Sequence, residues 1–574
     1  MDFLTKFANF SGEILYPCAF AAVCTCAFLI YFAFKGKKEQ KPDFKFFYWY
    51  LAGGAAIIAG GLLLKLKLGI SAVRYAEIVF EGFSWAVAVS NYIVLRKKGI
   101  FDTKVCRLTQ WEWMLAGVNF VLGILLVVIM GMSKADYYIG LNTFFNADLG
   151  RGVYSAITDV LPHSTHPLYR FAGFPFFALA RVIARIISAD YLLPGAYLVL
   201  LIQVLLNGIS AVVLKRTLVK LEFSSTIAWL GGVLYISSFP VMWLDIFPET
   251  YCLAALALIL GVYAHLCGSN LKYPLFILAM GVNPATAALS ALIILSDVLK
   301  NREKIFAWIK SHKIISGAAG AAGVLILAVF TVFSIKYIGQ WTAQKPLSGK
   351  LLQYVVSPWI FGPDYLNLSP FFVQTGELSF FKTATVCFVI AVCIYGAIKY
   401  RKKDVVLCCL GYIAVAVLFH GLLGFGKFNS VIYCGLYGWC FVLLFVCGMD
   451  MVARKLHTMS GVFIAALAVL CLIMNLLWFS SIKNDVAASV SSKAVRMSTD
   501  TPYYLDGCEG SFSVRDGMVI YENTQILVDD FDGFIYCDNE KIWGLKSDGS
   551  AFIVFCKDGS PRAESVDEYI YMIP

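Results

Sequence analysis

The chain has 574 residues, of which 59% are hydrophobic and 15% charged, with a mean hydropathy of +0.74. A soluble domain carries about 45–50% apolar residues even with glycine included, and about 25% charged ones, so a soluble enzyme is excluded. Aromatic residues at 15% and glycines without a three-residue period exclude disordered and collagen-like chains. A polytopic membrane protein remains, and its net charge of +10 reports loop orientation before it reports any nucleic-acid partner.

A spanning helix needs roughly 20 apolar residues. In chain order, such runs predict spans at 13–34, 46–64, 75–96, 112–132, 191–213, 224–240, 248–266, 312–335, 379–398, 405–423, 431–449 and 459–480. The run 270–297 is broken by Met280-Gly-Val-Asn-Pro-Ala-Thr286, which predicts a segment that dips into the membrane and returns. The first apolar run has no basic leader and no obvious cleavage site, so no cleavable signal is expected. Basic clusters at Lys35–Lys45, Arg96–Arg107, Lys215/Arg216/Lys220, Lys300–Lys313, Lys399–Lys403 and Arg454/Lys455 then mark one face as cytoplasmic. This topology requires that 168–189, with Arg181 and Arg185, does not cross. Lys65, Lys67 and Arg74 run against it by falling outside.

The fold expected is an all-α membrane protein with a small C-terminal β domain. Residues 1–110 form an N-terminal three-helix extension, and 111–481 a transmembrane domain with outer loops 133–190 and 336–378. Residues 482–574 lie outside the membrane, β-rich from about 500. From Gly517 to Gly559 apolar and polar residues alternate, with turns at Asp532-Gly533, Asp538-Asn539, Asp548-Gly549 and Asp558-Gly559. Most of the 17 cysteines sit in apolar runs and read as small hydrophobes, with no CxxC and no Cys/His metal spacing. Cys508, Cys537 and Cys556 are an odd set outside the membrane, of which one pair can bridge.

Scarce charge concentrates in the first outer loop. Asp148, Arg151, Asp159, His163, His166 and Arg170 fall within 23 residues. Carboxylates and imidazoles suit general-base work, and arginines suit phosphate through bidentate hydrogen bonds. Such charges can equally pair with each other on a solvated loop. Pro162 and Pro167 favour a turn around the two histidines.

The order of a span, an outer loop with Asp148, then His166-Pro167-Leu168 opening an amphipathic helix resembles the GT-C superfamily of membrane glycosyltransferases. Protein O-mannosyltransferases and the aminoarabinose transferase of lipid A belong to it, and uncharacterised bacterial membrane proteins carry similar stretches. The resemblance covers roughly 110–450. It implies a sugar donor linked to polyprenyl phosphate on the outer face, and an extracytoplasmic glycan or protein as acceptor. It places Asp148 as catalytic base. Arg151, Arg170 and Lys427 would hold the carrier phosphate, His163 and His166 would shape the donor site, and Asp159 counts with them among the substrate-binding candidates. In that superfamily the loop acid can also help bind a divalent metal, but Asp148 has no adjacent second acid, which argues against one.

Four further features have a structural and a functional explanation each. Asp245 and Glu249 precede a span, as dipole partners or as substrate-binding acids. Asn283 in the broken segment either satisfies loose backbone groups or binds a ligand. His420, Lys427 and Asn429 lie toward the outer side, where a lysine can also simply snorkel. The aromatic stretch Ser357–Phe372 suits an acceptor groove or an interfacial belt. The competing function is a transporter or flippase for a lipid-linked or anionic substrate, and a third is a scaffold displaying the β domain. Few ionisable residues fall in mid-span, which favours the enzyme.

Overall fold

The computed structural model describes residues 108–131, 192–269, 271–303, 355–368, 371–374, 378–422, 430–456, 460–491, 495–497, 502–529, 535–537, 540–545 and 551–566, with isolated helical positions from 169 to 187 and at 307 and 311. These are mostly helical. In chain order come α1 (Gln110–Met130), α2 (Leu192–Lys220), α3 (Ser225–Ser237), α4 (Phe239–Ile246), α5 (Tyr251–Leu266), α6 (Lys272–Val282) and α7 (Ala287–Lys300). A hairpin of β1 (Tyr365–Leu368) and β2 (Phe371–Gln374) precedes α8 (Phe380–Lys399), α9 (Asp404–Ala416), α10 (Ser430–Leu456) and α11 (Ser460–Ser491).

Five helices, α1, α2, α8, α10 and α11, are long and apolar enough to cross a membrane, as an integral membrane protein requires. The expected twelve spans are not reached among the described residues. Four of them, at 13–34, 46–64, 75–96 and 312–335, lie outside those residues, as does the N-terminal extension through residue 107. The run 224–240 is not one straight helix. Pro240 enters the first turn of α4, and α3 and α4 meet at 55° around Ser238. The expected span 248–266 shortens to the 16 residues of α5, about 24 Å, because Pro248–Thr250 stay outside the helix. The run 405–423 changes at Val417 into a π-helical turn through Leu422. In the opposite sense, α2 continues past 213 to Lys220. The broken segment is observed as α6, a 3-10 turn Pro284–Thr286, and α7.

The chain divides into two compact units. The first takes the described residues within Met1–Phe120, Leu149–Lys220 and Pro248–Ala287; the second takes those within Val121–Asp148, Leu221–Phe247 and Ala288–Pro574. In the first unit α5 packs on both α2 and α6. Close approach is enforced by small residues: a Cβ at Gly261 would strike the Phe276 ring, and one at Gly208 would press on the Ala116 backbone. Helical positions between 169 and 187 bury Phe177, Ala180 and Ala184 and expose Leu179, Ile186 and Ile187, the pattern of an amphipathic helix.

In the second unit α8 and α10 cross at Gly396 and Gly448, where each Cβ would meet the other helix's backbone. Residues 355–362 carry a 3-10 turn, Ser357–Trp359, buried against α10; the Trp359 ring stacks on Phe441 and the Tyr437 hydroxyl donates to the Val355 carbonyl. The expected groove wall or belt is thus, over 355–361, interior. Asn475 of α11 holds this segment. Its amide donates to the carbonyls of Ser237 and Ile360, and its oxygen accepts from the Gly362 N–H. Irregular backbone among apolar helices is tolerated where protein groups satisfy it in this way.

Past α11 come β3 (Val495–Arg496), β4 (Tyr503–Tyr504), β5 (Ser511–Arg515), β6 (Met518–Tyr521), β7 (Gln525–Val528), β8 (Tyr536–Cys537), β9 (Lys541–Leu545), β10 (Ala551–Lys557) and β11 (Ser560–Val566). They form an antiparallel five-stranded sheet, ordered β11-β10-β9-β8-β3, and a four-stranded one, β4-β5-β6-β7. One apolar cluster draws on both sheets, with Phe512 and Val519 from one and Ile542, Phe552 and Val554 from the other. Asp558-Gly559 makes the β10–β11 turn with φ of 55° and 77°, as the type I′ preference for Asp-Gly requires. Asp516-Gly517 does the same between β5 and β6, while 532–533, 538–539 and 548–549 lie outside the described residues. Cys508 and Cys556 form a disulfide, which leaves Cys537 as a buried thiol.

Candidate functional site

The first unit holds a buried polar cluster where α2 meets the start of α5. Gln203 is 2% exposed, and its amide donates to the Glu249 carbonyl at 2.7 Å and toward Cys252 Sγ at 3.4 Å. Glu249 is 4% exposed; its Oε2 accepts from the Thr250 N–H at 3.2 Å. The local sequence explains the placement. Pro248 cannot donate to a helix, and an acid just before α5 faces the positive end of its dipole.

Tyr169 belongs to the same unit. It follows His166-Pro167-Leu168 directly, is buried, and packs its ring 5.2 Å from Phe177. Burial, then the neighbouring Cys252 and Glu249, push its phenol well above the ordinary range. Tyr169 and the acid before α5 therefore belong to one unit, while His166-Pro167-Leu168 lies outside the described residues.

Asn283 performs the backbone role expected at a helix break. At the end of α6 its Oδ1 accepts from Ala285 N–H, and its carbonyl accepts from both the backbone and the hydroxyl of Thr286. Its Nδ2 is buried without a partner among the described residues, as are Gln203 Oε1 and Thr250 Oγ1. The unit thus keeps a donor, an acceptor and a hydroxyl unspent. Unpaired buried polar groups cost about 1–3 kcal/mol each unless something meets them.

Of the other residues assigned from sequence, Asp148, Arg151, Asp159, His163, His166, Arg170 and Lys427 lie outside the described residues. Asp245 is fully buried in the last turn of α4. In the second unit His420 is buried on the π-helical turn, its ring 4.7 Å from Tyr433. Among the described residues no three His, Cys, Asp or Glu side chains are grouped to hold a metal.

A second polar centre of the first unit has no counterpart in the sequence reading. Glu112 accepts from Arg216 Nε and Nη2 at 2.8 Å each, from Lys215 Nζ at 3.1 Å and from the Thr109 N–H at 2.9 Å. Thr109 Oγ1 in turn accepts from the Glu112 N–H, closing a capping box at the start of α1. Lys215, buried, and Arg216, partly buried, are therefore ion-pair partners within α2, although their sequence reads as a loop cluster. Thr-x-x-Glu before an apolar run was the available signal.

No protein-family model matches the chain, and no characterised protein sequence matches it.

Proposed function

We propose that the protein is a GT-C-like membrane glycosyltransferase that moves a sugar from a polyprenyl-phosphate carrier to an extracytoplasmic glycan or protein acceptor. The observation that carries this is the buried Glu249, whose carbonyl accepts from the amide of Gln203, in the unit that also holds the buried Tyr169, the residue directly after His166-Pro167-Leu168 in sequence. Buried polar atoms left unspent in that unit, Gln203 Oε1, Thr250 Oγ1 and Asn283 Nδ2, are of the kind that bind and orient sugar hydroxyls. Asp148 would take the proton of the acceptor hydroxyl as its oxygen bonds to the anomeric carbon. The carrier phosphate would leave with the bonding electrons, held by Arg151, Arg170 and Lys427.

The topology belongs to the same proposal: twelve spans, a cytoplasmic basic face, and the C-terminal domain outside the plasma membrane. Support for the last point is the Cys508–Cys556 disulfide, since disulfides persist in oxidising compartments. Support for the basic face is the meeting of Lys300 with Asp404 and of Lys403 with Glu222, which joins three connections that the charge pattern assigns to one side. The test is release of polyprenyl phosphate by purified full-length chain supplied with polyprenyl-phosphate sugars and an acceptor extract. Asp148→Asn and Glu249→Gln should each abolish turnover while the protein stays folded. Intact turnover in well-folded Asp148→Asn overturns the assignment.

A transporter or flippase for a lipid-linked or anionic substrate is the second reading, favoured by the interruptions at Ser238 and Asn283 and by the buried segment 355–362. Movement of an intact lipid-linked sugar across proteoliposomes, without release of polyprenyl phosphate, would select it.

A further inference from the structure

The candidate span α8 ends at Lys399, and α9 begins at Asp404, so Tyr400–Lys403 form the turn at one end of that span, where lipid headgroups would begin. The turn is rigidly held. The Tyr400 N–H donates to Gly396 and the Lys403 N–H to Tyr400, at 2.9 and 2.8 Å. The Tyr400 ring packs 5.4 Å from Phe223, and its hydroxyl donates to Asp450 at 2.8 Å.

Three acids around the turn are engaged, and Asp297, one helical turn before Lys300, adds a further negative charge near Asp404. Glu222 accepts from Lys403 at 2.8 Å; Asp404 accepts from Lys300 at 2.6 Å and from Ser296 at 3.2 Å; Asp450 takes the Tyr400 hydroxyl. Lys399 lies over the Tyr395 ring. On the neighbouring connection Arg302 and Glu303 are exposed side by side and cancel in charge. Arg401 and Lys402 remain, exposed at the tip and without a partner among the described residues.

We propose that Arg401 and Lys402 form a docking point for the headgroup of an anionic phospholipid. Two exposed cations without an ion-pair partner among the described residues, on a short turn at the end of a span, suit such a headgroup. A soluble phosphate shares the chemistry, but it is not concentrated at the membrane surface. Each basic residue near an anionic surface adds roughly 1 kcal/mol, so two give a preference on the order of thirty-fold.

The test is native mass spectrometry of the detergent-purified full chain, titrated with dioleoylphosphatidylglycerol or dioleoylphosphatidylcholine, with glycerol 1-phosphate as soluble competitor. The wild type should retain the anionic lipid over the zwitterionic one, and raised salt should weaken that preference. Arg401→Gln/Lys402→Gln should lose at least about tenfold of it with an unchanged unfolding midpoint. Equal retention of the two lipids, or an unchanged preference in the double variant, overturns the proposal. Displacement of the lipid by millimolar glycerol 1-phosphate assigns the point to a soluble anion and also overturns it. A lowered midpoint in the double variant gives the two cations a structural role instead and has the same effect.

Discussion

Arg216 grips Glu112 through two parallel hydrogen bonds of 2.8 Å, Nε to Oε1 and Nη2 to Oε2, although 104 positions separate them. Lys215 and the Thr109 N–H complete the carboxylate's shell. Removing one member of a buried ionic group strands the rest, at a cost of about 3–5 kcal/mol. Glu112→Ala should lose that much in equilibrium unfolding in mixed micelles. Replacing Glu112, Lys215 and Arg216 together by methionine should recover most of the loss, since no charge is then left buried. Losses that simply add would contradict the coupling.

The same pair shows how far the fold could be read from the sequence. The apolar run predicted α1 to within two residues, and the run starting at 191 predicted the start of α2. The end of α2 was misread because Lys-Arg in isolation looks like a loop, and only a partner far along the chain lets it stay helical. The break at Asn283-Pro284 was legible because Pro punctuates locally. Asn475 was not, since a lone Asn in an apolar run says nothing of the three groups it meets. Glu249 and Asn283 were singled out from position alone, and both prove buried; their binding role belongs to the proposal. Gln203 and Thr250 were missed because their buried polar contacts exist only after α2 and α5 pack.

Asn475 should therefore be among the least tolerant positions of α11. It bonds two carbonyls and one N–H, and each group left unpaired costs about 1–3 kcal/mol. Asn475→Ala strands all three. Asn475→Asp keeps an acceptor for Gly362 but strands both carbonyls and buries a charge, so it should be no better. The check is the unfolding midpoint of both variants beside Ser481→Ala, which removes one bond to the Trp478 carbonyl in the same helix. Aspartate behaving like the wild type would refute the donor role.

The pair Glu222–Lys403 carries a pH signature. The hydrogen bond from Lys403, and then its charge, hold the exposed Glu222 carboxyl below its ordinary value. A lowered folded value means that the contribution is present above the unfolded value, about 4.3, and fades as pH falls through the folded one. Glu222→Gln should be slightly less stable at neutral pH and converge with the wild type in acid. Salt should narrow the gap, as for any exposed pair. Glutamine is the informative substitution because Glu222 sits at φ 77°, where glycine would relieve strain and obscure the result. A gap that persists in acid would mean that Glu222 acts through something other than its charge.

The disulfide between Cys508 and Cys556 makes the last prediction. Cys508 precedes β5 of the four-stranded sheet and Cys556 belongs to β10 of the five-stranded one, so the bond ties together two sheets that also share an apolar core. It closes a separation of 48 residues. Restricting a loop of that size in the unfolded chain stabilises by about 2–4 kcal/mol. Reduction of the full-length protein, or Cys508→Ser/Cys556→Ser, should therefore speed hydrogen exchange at the amides of β5 and β10 by roughly 30- to 800-fold where exchange reports opening of the whole domain. The helical spans should be unaffected, because their bonds lie elsewhere. Cys537→Ala removes a buried sulfur and should weaken the core modestly, while leaving the response to reductant intact. Loss of that response in Cys537→Ala would show that Cys537, and not one of the other two, forms the bridge.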